Sequence, residues 1–275
     1  DVMGFTAIDR LDIFNTRVAP IQVSWLAYCN TLGFETIDYI VADENLINEG
    51  EEKFYSEKII KLPQIWNAHS GFNYKRNFNN LPSLGNNSFT FGSFNNFKKI
   101  SDETIEAWST ILKNVPNSKL ILKSSSFCDT RLLLNKFKKN NVDDQIEILD
   151  KANFFKKKDH LELYNTIDLA LDTFPYNGVT TTFESLWMNV PVIVLKGYNF
   201  NSRCGESIIK NSKLDYLVSS NTEEYIKKAI FLSKNTKKLI ELRKKLYDTA
   251  LSTPLFDTQL FAKNFSKSLL NIFPV

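Results

Sequence analysis

From about residue 88 onward, short runs of β-branched and aromatic residues alternate with longer amphipathic stretches, the pattern that βαβ units around a parallel sheet require. Strands are expected over 89–94, 120–123, 146–149, 167–173, 192–195 and 216–218. One helix opens at Ser101, and others are expected near 130–139, 158–165, 181–189, 203–212, 222–233 and 236–250. The Ser101 helix is the best marked. Ser101 can cap it, Asp102 and Glu103 favour its positive end, Trp108, Ile111 and Leu112 form its apolar stripe, and Pro116 and Asn117 close it.

The first 85 residues read differently, with apolar runs at 21–27 and 37–41 separated by turn-rich loops, and Asn-rich sequence over 77–87 reads as a linker. Three parts are therefore expected: 1–85, 86–252, and 253–275, the last a helix after Pro254 that packs across to another domain. A chain of 275 residues with 43% hydrophobic content holds one large or two modest cores. The formal charge of +3 is spread along the chain and does not argue for nucleic acid; the lysines around Phe137 and those at 156–158 read most simply as solvated helix ends or loops. Cys29, Cys128 and Cys204 stand apart, with no Cys-x-x-Cys spacing, which fits a reducing compartment and not a structural zinc. No apolar run is long enough to cross a bilayer, so a cytoplasmic protein without a membrane partner is expected. The start at Asp1, inside what reads as a loop leaving a strand, carries the expectation of a longer parent polypeptide.

Ligands of open parallel sheets bind beyond the carboxyl ends of the strands, which directs attention to three loops. The turn from Phe174 to Gly178 leads straight into Thr180, Thr181 and Thr182. A helix beginning there offers unpaired N–H groups, a positive dipole end and up to three hydroxyls to an anion. Glu184 falls on roughly the same face, where a carboxylate can accept from ribose hydroxyls. The competing reading makes the threonines a cap with Glu184 as its capping-box partner, but one cap needs one threonine, and the excess favours function. In the loop 95–100 a lysine could neutralise a diphosphate, with an ordinary surface lysine as the alternative. The loop 153–160 ends at His160, one of two histidines, and a lone histidine is more often an ordinary surface or core residue than a ligand.

Taken in order, these residues resemble the O-linked N-acetylglucosamine transferase family with its bacterial and plant relatives, including the Spindly-type protein fucosyltransferases. The resemblance runs through 19–28, Thr31 to Gly33, Ile37 to Tyr39, Phe54 to Glu57, Phe91 to Asn96 with Lys99 and Ile100, 115–120, 169–178, 180–191, Ser202 and Arg203, and Ser252 to Leu255. It implies a GT-B fold, here a complete C-terminal Rossmann-like domain with the last part of the N-terminal one. It further implies that Lys99 contacts a diphosphate with Asn96 nearby, that Asn177, Gly178, Thr180, Thr181 and Thr182 form the phosphate-binding loop and helix start, and that Glu184 meets the ribose. Lys157 and His160 would flank the base, Arg203 would belong to the substrate site, and Asp38 matches an aspartate considered in the family as a base. Three positions depart from the family: Val179 replaces a histidine or glycine, Cys29 and Asn30 replace Pro-Gly, and Phe5 stands where bacterial relatives often hold histidine.

The activity so implied is inverting transfer of GlcNAc from UDP-GlcNAc to a Ser or Thr hydroxyl of a protein, with no cofactor or metal and with a tetratricopeptide region in the parent polypeptide. Fucosyl or glucosyl transfer from another nucleotide sugar, and a non-catalytic nucleotide- or partner-binding remnant, are the alternatives. It is also left open that these 275 residues are inactive alone.

Overall fold

A computed structural model of the chain describes residues 2, 4–6, 11–74, 80–123, 129–149 and 157–273, apart from the side chains of Thr6, Lys157, Lys158 and Tyr247. Two parallel sheets are found among them. The first contains β1 (Val23–Ser24), β2 (Tyr39–Asp43) and β3 (Lys58–Leu62) in that order. The second contains β4 (Phe89–Ser93), β5 (Ser118–Lys123), β6 (Ile146–Leu149), β7 (Leu169–Leu171), β8 (Val192–Leu195) and β9 (Val218–Ser219), in the spatial order β6-β5-β4-β7-β8-β9. That is a doubly wound arrangement, with its switch point between β4 and β7.

The helices are α1 (Ser83–Asn86), α2 (Asp102–Asn114), α3 (Thr130–Lys139), α4 (Lys157–Glu162), α5 (Thr180–Trp187), α6 (Phe200–Asn211), α7 (Thr222–Lys234), α8 (Thr236–Leu251) and α9 (Thr258–Leu270). Their starts follow local chemistry: Ser101 accepts from the Thr104 amide at 3.1 Å, Asp129 caps α3, Asn199 closes a capping box on α6 with Ser202, and Asp257 caps α9. None of these helices is long and apolar enough to cross a membrane.

Several elements differ from the sequence expectation, three of them for a visible local reason. β7 is shorter than 167–173 because the chain leaves the ladder at its carboxyl end, where the Thr173 amide bonds the Asp172 carboxylate and the Phe174 amide bonds the Thr104 hydroxyl. Residues 215–217 form a 3-10 turn closed by Leu217 N–H on Leu214 C=O, which leaves only Val218–Ser219 as strand. β3 was not expected: its exposed lysines, Lys58 and Lys61, interrupt the apolar run, while Ile60 and Leu62 are buried.

One apolar interior joins the two sheets, running from Ile40, Ala42 and Trp66 through Phe200 and Val194 to Trp108 and Tyr225. Polar contacts across it are also buried. Asp43, at the carboxyl end of β2, accepts from the Trp66 amide and from the Ser207 hydroxyl on α6. A smaller cluster of Val41, Ile60 and Leu62 is covered by α9, whose Phe261 and Phe265 lie 5.8 and 4.6 Å from the Trp25 ring. The C-terminal helix thus returns to the first sheet.

Candidate active site

The crevice between β4 and β7 is where a doubly wound sheet receives ligands, because the chain diverges to opposite faces there. β4 runs through Phe94 to Asn96 into a 3-10 turn, Phe97–Lys99, while β7 runs through Asp172 to Val179 into α5. The two exits meet. The Lys99 ammonium donates to the Asn177 carbonyl at 2.8 Å and lies 4.1 Å from the Tyr176 ring centroid. Burial lowers the pKa of Lys99, against the pull of the nearby Asp172 carboxylate and the buried Cys29 and Cys204 thiols.

Asp172 lies under both exits. Its Oδ1 accepts from the Gly178 amide (2.8 Å), the Thr173 amide (2.9 Å) and Asn95 Nδ2 (3.0 Å), whereas its buried Oδ2 has no hydrogen-bond partner among the described residues. Burial pushes its pKa up to about 7, with the Gly178 amide and Lys99 pulling the other way. Gly178 is required by space. A Cβ there would meet Thr181 Oγ1 at 2.3 Å, Asn95 Oδ1 at 2.7 Å and Asp172 Oδ1 at 2.9 Å.

The three threonines divide their tasks. None caps α5, whose N-cap residue is Val179 without a side-chain cap bond, and Glu184 does not close a capping box. Thr182 is buried and donates to the Gly178 carbonyl, while Thr181 donates to Asn95 Oδ1 at 2.8 Å. Thr180 is exposed, and among the described residues no hydrogen-bond partner is found for its hydroxyl or for the Thr180 and Thr181 amides. These groups, with the dipole of α5 behind them, make the helix start a place for negative charge beside Lys99.

His160, on α4, joins the wall of the crevice. Its Nδ1 lies 2.7 Å from Lys123 Nζ and its Nε2 lies 2.8 Å from Glu184 Oε2. An ammonium has protons and no lone pair, so Nδ1 accepts and Nε2 carries the proton donated to Glu184. Tyr164 donates to the same carboxylate oxygen at 3.0 Å, and Phe94 meets the imidazole edge to face at 6.2 Å. Glu184 is buried and grips His160 and Tyr164 rather than presenting an open carboxylate to a ribose.

Other expected residues stand elsewhere or work differently. Asp38 precedes β2, and that five-residue strand separates it by roughly 16 Å from the strand's carboxyl end. The Arg17 guanidinium grips both its oxygens and, with the Gln22 amide, lowers its pKa, which suits an anchored anion and not a base. Arg203 also leaves the substrate list. It is buried, with its donors on both oxygens of Glu51 and on the Leu46 and Gly197 carbonyls, so it clasps α6 to the segment after β2. Asn96 is exposed and caps the 3-10 turn, while its neighbour Asn95 carries the bridge from Asp172 to Thr181. The Asn177 side chain is buried on the Thr173 carbonyl and the Gly205 amide, so its backbone carbonyl is what meets Lys99. Lys157 opens α4, but its side chain, like residues 153–156, lies outside the described residues. Asp172, Asn95 and Tyr176 were not singled out from sequence; a charged residue inside the apolar run 167–173 was the available signal for the first.

Comparison with known proteins bears on this geometry. The family model described as Glycosyl transferase family 41 matches residues 1–72 and 73–265. The chain is 34% identical over 268 residues to the probable UDP-N-acetylglucosamine–peptide N-acetylglucosaminyltransferase SPINDLY of Solanum lycopersicum, covering 96% of this chain and 29% of that protein. It is 34% identical over 278 residues to the SEC protein of Arabidopsis thaliana, a probable enzyme of the same description, covering 96% and 28%. A solved variant of Thermobaculum terrenum O-GlcNAc transferase matches with a TM-score of 0.83 and 31% identity, covering 91% of this chain and 48% of that one. WaaG, a glycosyltransferase involved in lipopolysaccharide biosynthesis, matches with a TM-score of 0.54 at 12% identity, a likeness of fold. The chain therefore spans less than a third of these curated relatives. Its fold is GT-B, and it belongs to glycosyl transferase family 41.

Proposed function

We propose that this chain holds the donor site of a protein glycosyltransferase that moves GlcNAc from UDP-GlcNAc, with inversion, to a Ser or Thr hydroxyl. The observation that carries the reading is the half-buried Lys99 ammonium, held by the Asn177 carbonyl and the Tyr176 ring beside the open start of α5 at the sheet's switch point. A diphosphate placed there meets a cation, two free amides and the Thr180 hydroxyl. The names of the relatives, which specify UDP-N-acetylglucosamine and a peptide, support the donor and the acceptor class.

In this reading the acceptor oxygen attacks the anomeric carbon from the face opposite the diphosphate. The bond from that carbon to the diphosphate oxygen breaks, and its electron pair stays on the leaving oxygen. Lys99 and the α5 start stabilise the charge that develops there, so the reaction needs no metal. The acceptor proton goes to a donor phosphate oxygen or to solvent, since Asp38 is held away by Arg17. His160, its ring fixed by Lys123 and Glu184, flanks the nucleobase, with Lys157 on the same turn. Glu184 acts by holding His160.

Val179 supports a second reading, a different sugar, because it puts an apolar side chain at the helix start. The test of both is to incubate the protein with labelled UDP-GlcNAc, UDP-glucose or GDP-fucose and candidate protein acceptors. Label from UDP-GlcNAc on Ser or Thr, in the anomeric configuration opposite to that of the donor, is expected. Label from another donor alone moves the assignment to that sugar, and transfer from none overturns the enzymatic reading.

A further inference from the structure

The Asn177–Gly178 peptide carries two of the site's contacts on one rigid plane. Its carbonyl accepts from Lys99 Nζ, and its N–H donates to Asp172 Oδ1, each at 2.8 Å. In a trans peptide these groups point in opposite directions, so whatever fixes the N–H fixes the carbonyl. We propose that Asp172 is a positioning residue for Lys99: it locks the Asn177–Gly178 peptide and thereby aims the ammonium at the anionic part of the donor. The ligand in this statement rests on the nucleotide-sugar reading; the geometry does not.

Three observations support it. First, Gly178 has the backbone freedom to let this peptide turn over, which would aim an N–H at the lysine and a carbonyl at the carboxylate. The carboxylate, which only accepts, holds the plane in the observed sense. Second, Asp172 is not a plain ion-pair partner, since Oδ1 takes three donors while buried Oδ2 takes none. Its bonds go to the groups that shape the loop. Third, the same oxygen orders the other wall of the site. Asp172 Oδ1 accepts from Asn95 Nδ2, which leaves the Asn95 Oδ1 to accept from Thr181 and so spends the Thr181 proton. The donors left for an anion at the α5 start are the Thr180 hydroxyl and the Thr180 and Thr181 amides, so one buried carboxylate sets both Lys99 and the polarity of the helix start.

The test compares Asp172→Asn, whose amide oxygen can still accept from Gly178, with Asp172→Ala, each alone and combined with Lys99→Met. UDP affinity is measured by calorimetry. Affinity in Asp172→Asn is expected to stay within roughly threefold, while Asp172→Ala weakens it by roughly tenfold or more. In the Lys99→Met background the alanine substitution is expected to cost clearly less, because only the part that passes through Asn95 and Thr181 remains. Equal losses in both backgrounds would mean a merely structural role and overturn the proposal.

A second readout needs no nucleotide. The Lys99 Nζ resonance is followed by lysine-specific NMR against pH and assigned with Lys99→Met; the titratable groups around it are Asp172, Cys29, Cys204 and Tyr176. Asp172→Asn and Asp172→Ala both remove the charge and move its titration to lower pH, so positioning is read from the difference: the alanine variant, or Asp172→Val if alanine does not fold, is expected to move it further, and equal titrations overturn the proposal. If the unaltered protein binds no UDP while the Lys99 titration moves as expected, the donor reading fails and the positioning role stands.

Discussion

Arg203 provides a sharp division between holding the fold and holding the ligand. Its guanidinium grips both carboxylate oxygens of Glu51 and the Leu46 carbonyl, linking α6 to the segment that follows β2. The Arg203 hydrogen bond, followed by those from Asn48, holds Glu51 at about 2, against an ordinary 4.5. At ~1.4 kcal/mol for each tenfold change in proton affinity, the whole drop corresponds to ~3 kcal/mol. Glu51 is a quarter exposed and shares its bonds with Asn48, so the part due to Arg203 is ~2 kcal/mol after solvent screening. Arg203→Met keeps the apolar stem and removes the donors. Urea unfolding at pH 7 is expected to show ~2–3 kcal/mol less stability, the upper end including the carbonyls left unpaired. The sign with pH follows from the depressed carboxylate: its contribution is complete above about 4.5 and is lost as pH falls toward 2. The gap between the two proteins is therefore expected to narrow over that window. Where both are folded, UDP affinity is expected to be the same. A variant of unchanged stability that binds UDP tenfold more weakly would return Arg203 to the substrate site and refute this reasoning.

Three further outcomes follow from the packing. Gly178→Ala forces a methyl into contacts of 2.3 to 2.9 Å with Thr181, Asn95 and Asp172, and is expected to cost ~1–3 kcal/mol in unfolding experiments and to abolish measurable UDP binding; normal binding would show that the loop has room. Trp25→Ala removes the ring on which Phe261 and Phe265 rest, along with its bond to the Trp66 carbonyl, and is expected to lower stability by ~3 kcal/mol and make α9 open to protease; an uncut α9 would contradict its docking by Trp25. Burial raises the Asp43 pKa from 3.8 to about 6, so its folded-state advantage is complete below 3.8 and is lost as pH rises through about 6. Asp43→Asn is expected to flatten the stability profile between pH 4 and 7, and parallel profiles would contradict the assignment.

Much of the second sheet was legible because its central strands, β4 and β7, are buried on both faces and because helices such as the one capped by Ser101 separate the strands. β3 was hidden by its exposed lysines, and the bounds of β9 were blurred by a 3-10 turn that uses the same apolar residues. Within the site, the threonines drew notice because they follow a strand, while Lys99 was singled out from Lys98 by the resemblance. The roles around them could not, since they depend on direction. Asn95 and Asn96 are indistinguishable in sequence, yet one turns inward to Asp172 and the other outward to cap a turn. Asp38 and Arg203 drew notice through the resemblance, and only their partners, Arg17 and Glu51, separate anchoring from chemistry.

The most direct measurement of the central claim is calorimetric titration of the protein with UDP and with GDP in the presence of a metal chelator, repeated on Lys99→Met. Saturable one-site binding of UDP, weakened at least tenfold by the substitution, is the predicted result. Indifference to both nucleotides, or UDP binding of equal strength with and without the Lys99 ammonium, would contradict it.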